Sequence, residues 1–212
     1  MSGEKKRITV RREARAEIEE RKSVFIGSVS PVSSEEEARA FIEKVRKEYY
    51  DARHNVYAYV LNGGAVSRFT DDGEPKGSAG IPVLNVLQKS ELDGVCIVVT
   101  RFFGGILLGT GGLVRAYGAA AKAAIDEAGI AVMTEYALCK VSCSYSDYSK
   151  ISPKLAASGY AEEGADFAED VAITVSCGSA DVDALRDLVT QITAGKCEVR
   201  VIGTEERPER NL

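Results

Sequence analysis

Residues 102–118 read FFGGILLGTGGLVRAYG and place five glycines, Gly104, Gly105, Gly109, Gly111 and Gly112, inside nine positions. Glycine lets main-chain N–H groups approach a ligand closely, and a helix opening here adds the positive end of its dipole, so the pattern favours an anion. Arg101 just before the run and Arg115 within the following segment each carry a guanidinium whose planar fork matches a phosphate. No Gly-Lys-Ser/Thr follows, which excludes a P-loop, and GTGGLV does not complete the GxGxxG fingerprint, so nucleotide hydrolysis and NAD binding are poorly supported. The simpler reading of the glycines is a tight turn with close helix-to-sheet packing.

A second group lies in RFTDDGEPKGSAGIP, residues 68–82, which carries Asp71, Asp72, Glu74 and Lys76. Three carboxylates within four residues can ligate a hard cation through oxygen. With His54 as a base, they would make a metal-dependent hydrolase. The spacing lacks the further ligands of an EF-hand, however, and Asp-Asp-Gly-Glu-Pro is also good turn chemistry. A third use suits both groups: the acids orient neighbouring cations. On that assignment Arg53, His54, Arg68, Lys76, Arg101, the five glycines and Arg115 form a phosphate- or nucleic-acid-binding surface. Asp71, Asp72 and Glu74 hold the loop. No catalytic residue, metal or cofactor is assigned.

The composition limits the alternatives. A chain of 212 residues allows one large domain or two small ones. Hydrophobic residues at 45% and charged residues at 28% are those of a folded globular protein. A single histidine rules out HExxH and other multi-histidine metal sites. Five widely spaced cysteines with no CxxC pair suggest reduced core thiols rather than a disulfide framework. The apolar runs are far shorter than the roughly 18 residues of a membrane helix. The charged start MSGEKKRITVRRE does not read as a secretory signal, so the expected location is the cytoplasm and no membrane partner is expected. Residues 1–130 carry 19 basic and 18 acidic side chains, a net of +1; residues 131–212 carry 8 and 14, a net of −6. Indiscriminate coating of DNA or membranes is therefore excluded, while a local basic site in the first part is not.

The elements that must position these residues follow from periodicity. Strands are expected at 7–18 and 22–30, pairing as an opening hairpin, then an amphipathic helix after Ser33 and Ser34 with Ala38, Phe41, Ile42 and Val45 on its apolar face. A strand at 56–61, a long loop at 62–77, a helix at 78–89 and a buried strand at 94–101 come next. The glycine-rich turn then opens a helix from Leu113 to Ala128, ended by Gly129. From residue 133 the order changes to strand 135–145, helix 147–158, strands 159–168 and 170–177, helix 181–193 and strand 197–205. This is the βαββαβ order of a ferredoxin-like sandwich. The fold class is α+β, in two domains, 1–132 and 133–212. Tyr145, Tyr148 and Tyr160 in the second are candidate stacking platforms for RNA, although the acidity of that domain favours packing roles.

Three motifs, HNVYAY (54–59), DDGEPKGSAGIPVL (71–84) and TRFFGGILLGTGGLVRAYGAA (100–120), resemble the IMPACT family, specifically its bacterial YigZ-like branch, and the resemblance spans essentially the whole chain. Departures are mild: Phe102 stands where a Tyr is common, Leu107 where a Lys is common, and Tyr57 where a Trp is common. The resemblance implies a first domain like the second domain of a small-subunit ribosomal protein, and a second like the last domain of elongation factor G. It further implies a role in translation or its regulation, with RNA or the ribosome as partner; the leading expectation is a non-enzymatic binding protein, with the metal-dependent hydrolase as the alternative. The acidic second domain is a candidate docking surface for a protein partner.

Overall fold

The computed structural model describes residues 7–208. The charged segment 1–6, part of the expected non-secretory start, lies outside them. The chain forms two compact units that divide between Val132 and Met133.

The first unit is organised by β6 (Val95–Phe102), whose run VCIVVTRF is buried almost throughout. Continuous β-branched sequence of this kind fits a central strand covered on both faces. Around it β2 (Ala14–Glu20), β3 (Ser23–Pro31), β4 (His54–Leu61) and β5 (Val66–Thr70) form an antiparallel sheet of order β2-β3-β6-β4-β5. The two-residue period of a strand then sorts its side chains. Val95, Ile97 and Val99 join Val56, Ala58 and Val60 in one core with α2 (Gly80–Lys89) and α3 (Gly109–Ala128). Cys96 and Val98 face the other way with Tyr59 and Leu61, against α1 (Glu35–Glu48).

The start of α1 follows from its sequence. Ser34 is the N-cap and accepts from the Glu37 N–H at 3.2 Å, three glutamates fill the first turn, and Ala38, Phe41, Ile42 and Val45 are buried. Each feature favours a helix starting there.

Three differences from expectation bear on the site. The strand expected at 7–18 is two elements: β1 (Ile8–Val10) leaves the hairpin and pairs with the opening residues of β7 (Ile130–Cys143), while β2 alone pairs with β3. The expected loop 62–77 contains β5, an edge strand reached from β4 by a tight turn at Asn62–Gly64; with no fully buried residue, it is concealed from a hydrophobic pattern. Finally, α3 begins at Gly109 and not at Leu113, so Gly109, Gly111 and Gly112 are its first turn rather than a turn preceding it.

The second unit runs β7, α4 (Tyr145–Ala157), β8 (Ala161–Phe167), β9 (Val171–Gly178), α5 (Val182–Thr193) and β10 (Val199–Pro208). Its sheet has the antiparallel order β10-β7-β9-β8, the ferredoxin-like arrangement. Ile151, Leu155, Leu185 and Val189 of its two helices share a core with Val141, Val171, Ile173 and Val175. The protein is thus α+β, in two units. All five cysteines are unpaired and buried. Among the described residues, no helix is long and apolar enough to cross a membrane.

Candidate functional site

One end of the first sheet gathers most of the chemistry. The register pairs Val24 with Phe102 and His54 with Arg101, and Glu20 with Ser23 across the β2–β3 turn. The β2–β3 turn, the start of β4, the end of β6 and the glycine-rich segment therefore meet there. Thr70, opposite Tyr57, brings the acidic loop to the same end. A cavity of about 430 Å³ lined by residues such as Val60, Gly63, Gln88, Leu92 and Asp93 lies at the opposite end and contains none of the expected residues.

Arg101 is not a surface cation. It is 6% exposed, its Nη1 donates to Glu74 Oε1 at 2.6 Å, and its guanidinium lies 5.5 Å from the ring centres of both Phe25 and Phe103. Tyr117, fully buried on α3, donates its hydroxyl to the same Glu74 oxygen at 2.8 Å. Burial first, and then the Glu74 charge, push the Tyr117 pKa up, so the phenol keeps the proton it donates. Arg101, Glu74 and Tyr117 form a buried polar strut joining β6, the acidic loop and α3. Arg101 and Glu74, both candidates from the sequence, are brought together with Tyr117, which was not one, and Arg101 lies behind the surface rather than on it.

The other two acids are held equally closely. Asp71 accepts from the N–H groups of Gly77 (2.7 Å), Ala79 (3.1 Å) and Gly80 (2.8 Å) and so caps α2. Burial works to raise its pKa, yet the three donors outweigh it and hold the carboxyl below the usual range. Asp72, in the left-handed region at φ 44°, accepts from the Asn55 N–H at 2.6 Å and from Arg46 at 3.3 Å. Its carbonyl receives a 2.7 Å hydrogen bond from His54 Nδ1; a carbonyl only accepts, so that nitrogen carries the proton. The loop acids do orient cations, but the partners are Arg101 and Arg46, not Arg53, Arg68 or Arg115.

The glycines divide into two kinds. A Cβ on Gly104 would overlap the Lys22 carbonyl, and its N–H donates to Ser23 Oγ at 3.2 Å; Gly104 is a packing glycine clamped to the β2–β3 turn. Gly112 is buried against Leu108. Gly105 and Gly109, by contrast, have φ of 83° and 68° with open space where a side chain would be, and Gly111 meets only the far end of Arg115. The N-cap of α3, Leu108, supplies no side-chain cap. The first N–H groups of a 20-residue helix thus open at an exposed surface where Gly105, Gly109 and Gly111 carry no side chain to cover them.

Exposed cations surround it unevenly. Arg115 stands on the second turn of α3, and Arg53 immediately precedes β4 at the same sheet end, next to the half-buried His54; Lys76 is exposed on the acidic loop. Arg68 is elsewhere: it pairs in register with Tyr59, five residues along β4 from His54, about 17 Å at strand rise. Sequence reasoning missed Arg21 and Lys22. Both are exposed in the β2–β3 turn at φ of 47° and 64°, where glycine or asparagine is the easy choice, and Lys22 is the residue Gly104 packs against. The signal was present as a basic pair between two alternating segments.

In the second unit the tyrosines are largely committed. The Tyr148 hydroxyl donates to Glu162 at 3.0 Å, Tyr160 packs on the core, and Tyr145 donates to the Ala168 carbonyl at 2.9 Å.

Comparison with known proteins decides the family. Residues 21–125 match the Impact N-terminal domain, a span that holds every candidate site residue of the first unit. Residues 141–196 match a domain of unknown function, DUF1949. The chain is 36% identical over 194 residues to the IMPACT family member YvyE of Bacillus subtilis, covering 91% of this chain and 89% of that one. The chain belongs to the IMPACT family. YigZ of Escherichia coli, another member, is 35% identical over 86% of this chain and 91% of its own. A solved structure described as a hypothetical protein superimposes with a TM-score of 0.58 at 31% identity, covering 93% of this chain and 98% of the other.

Proposed function

We propose that this IMPACT family protein acts in the cytoplasm, in translation or its regulation, by binding RNA or another phosphate-bearing ligand at the opening of α3. One observation carries the reading: the uncapped, glycine-open N-terminus of α3 is flanked by the exposed cations Arg21, Lys22 and Arg115. Main-chain donors, helix dipole and neighbouring positive charge are the ingredients of a phosphate site. Arg53 and Lys76 extend the basic surface, and the buried Arg101–Glu74–Tyr117 strut fixes the elements that present it.

A metal-dependent hydrolase is the weaker reading. Asp71, Asp72 and Glu74 accept from different partners. Among the described residues, no three His, Cys, Asp or Glu side chains gather where they could share an ion.

Anisotropy with labelled single-stranded RNA, double-stranded RNA and DNA tests the proposal. Saturable RNA binding that weakens in Arg115→Ala and Lys22→Ala supports it. RNA binding that ignores both variants removes the site, and no binding of any of these nucleic acids at low salt removes RNA as its ligand.

A further inference from the structure

Beside the glycine-open helix start, the segment joining β6 to α3 exposes three apolar side chains in five positions: Phe103 at 50%, Ile106 at 42% and Leu107 at 81%. Phe103 differs from the other two in how it is held. The Arg101 guanidinium lies over its ring at 5.5 Å and over the buried Phe25 ring at the same distance, so the three groups form a Phe–Arg–Phe stack. The stack is anchored from below, because Phe25 is fully buried and meets Tyr117 edge-on at 5.2 Å, and Arg101 is bound by Glu74. It is anchored from the side as well, because Gly104, the next residue, is clamped to the β2–β3 turn carrying Arg21 and Lys22. Phe103 is therefore an aromatic ring backed by a fixed cation, half open to solvent, between the basic turn and the first open glycine, Gly105.

Resting on the proposed phosphate site and deepening it, we infer that Phe103 is a stacking platform for an unpaired base, which makes the ligand single-stranded RNA rather than a bare phosphate or a duplex. Unpaired bases stack on aromatic side chains whatever their identity, whereas bases inside a duplex have no free face to offer. A base on Phe103 would set its phosphates near Arg21 and Lys22 on one side and towards the N–H groups of α3 on the other. The recognition is sequence-tolerant, because every base has a π-face and Phe103 has no hydrogen-bonding atom with which to read its edge.

The test compares a short single-stranded oligouridylate with an abasic oligonucleotide of the same length and charge. The parent protein binds the oligouridylate more tightly. Phe103→Ala and Phe103→Leu each lose roughly tenfold for the base-bearing strand, the scale of one base–aromatic stack, with little change for the abasic strand; Phe103→Tyr retains parental affinity. Arg115→Ala weakens both ligands. Equal binding of the two ligands by the parent, or equal loss for both in Phe103→Leu, overturns the stacking role while leaving the phosphate site standing. Failure of the parent to bind either ligand at low salt overturns both.

Discussion

Arg101 and Glu74, 27 positions apart in sequence, meet at 2.6 Å with side chains only 7% and 4% exposed. A pair withdrawn this far from water contributes mainly through the harm done when one member is lost, since the survivor is left charged without a partner. Its position between β6, the acidic loop and α3 makes it the link between the fold and the surface above it.

Removing one side of that pair should therefore be costly. Glu74→Gln is expected to destabilise the protein by about 3–5 kcal/mol, and Arg101→Met combined with Glu74→Gln by much less than the sum of the single changes. Urea denaturation of the two single variants and the double variant measures the coupling. Additive losses would mean that the two groups do not act as a pair.

The Asp71 cap carries a pH signature. Its carboxyl is held below its ordinary pKa in the folded protein, so its contribution is complete above the unfolded carboxylate value of about 3.9 and fades as pH falls through the lower folded value. Asp71→Ala is expected to cost about 2 kcal/mol near neutral pH, the upper end of capping effects, with the gap to the parent closing below about pH 4. Denaturant melts at pH 7 and at pH 3 check it; a gap that widens in acid would contradict the assignment.

The glycines should separate by role. Gly104→Ala forces a clash with the Lys22 carbonyl and is expected to lower the melting temperature sharply. Gly111→Ala sits in a helix with room for a methyl group and is expected to be neutral or stabilising by about 0.5–1 kcal/mol. If RNA approaches the backbone there, the same Gly111→Ala weakens its binding. A variant that is both more stable and a poorer binder separates the glycines kept for packing from those kept for a ligand.

Salt titration addresses the cations. Each phosphate contact to a single strand contributes about −0.7 to the slope of log affinity against log salt. Lys22→Ala and Arg115→Ala are each expected to weaken RNA binding and to flatten the slope by about that amount. An unchanged slope would mean that neither residue meets a phosphate.

Much of this was legible in the sequence where pattern and packing agree. Ser34 and the glutamates after it announce α1, and the continuous apolar run within Val95–Phe102 announces a strand covered on both faces. Reading failed where tertiary context decides. The edge strand β5 lacks a buried face, and its pairing with β4 supplies what its own pattern does not. The start of α3 at Gly109 contradicts glycine's low helix propensity, and only the structure shows those glycines inside the helix. Both Arg101 and Glu74 stood among the candidates, but their pairing depends on a loop folding back across 27 residues, which no spacing rule encodes. Arg21 and Lys22 were missed because a basic dipeptide is a poor signal for a tight hairpin.

The central claim is that the main-chain N–H groups opening α3 receive a phosphate of bound RNA. Titrating ¹⁵N-labelled protein with a single-stranded oligoribonucleotide and following its amide resonances tests this most directly. The account predicts progressive, saturable shifts at Gly105, Gly109, Thr110 and Gly111, with smaller changes at Lys22 and Arg115 and none around Gly63 and Asp93 at the opposite end of the sheet. Shifts confined to that opposite end or to residues beyond Met133, with the α3 amides unmoved at saturation, would contradict it.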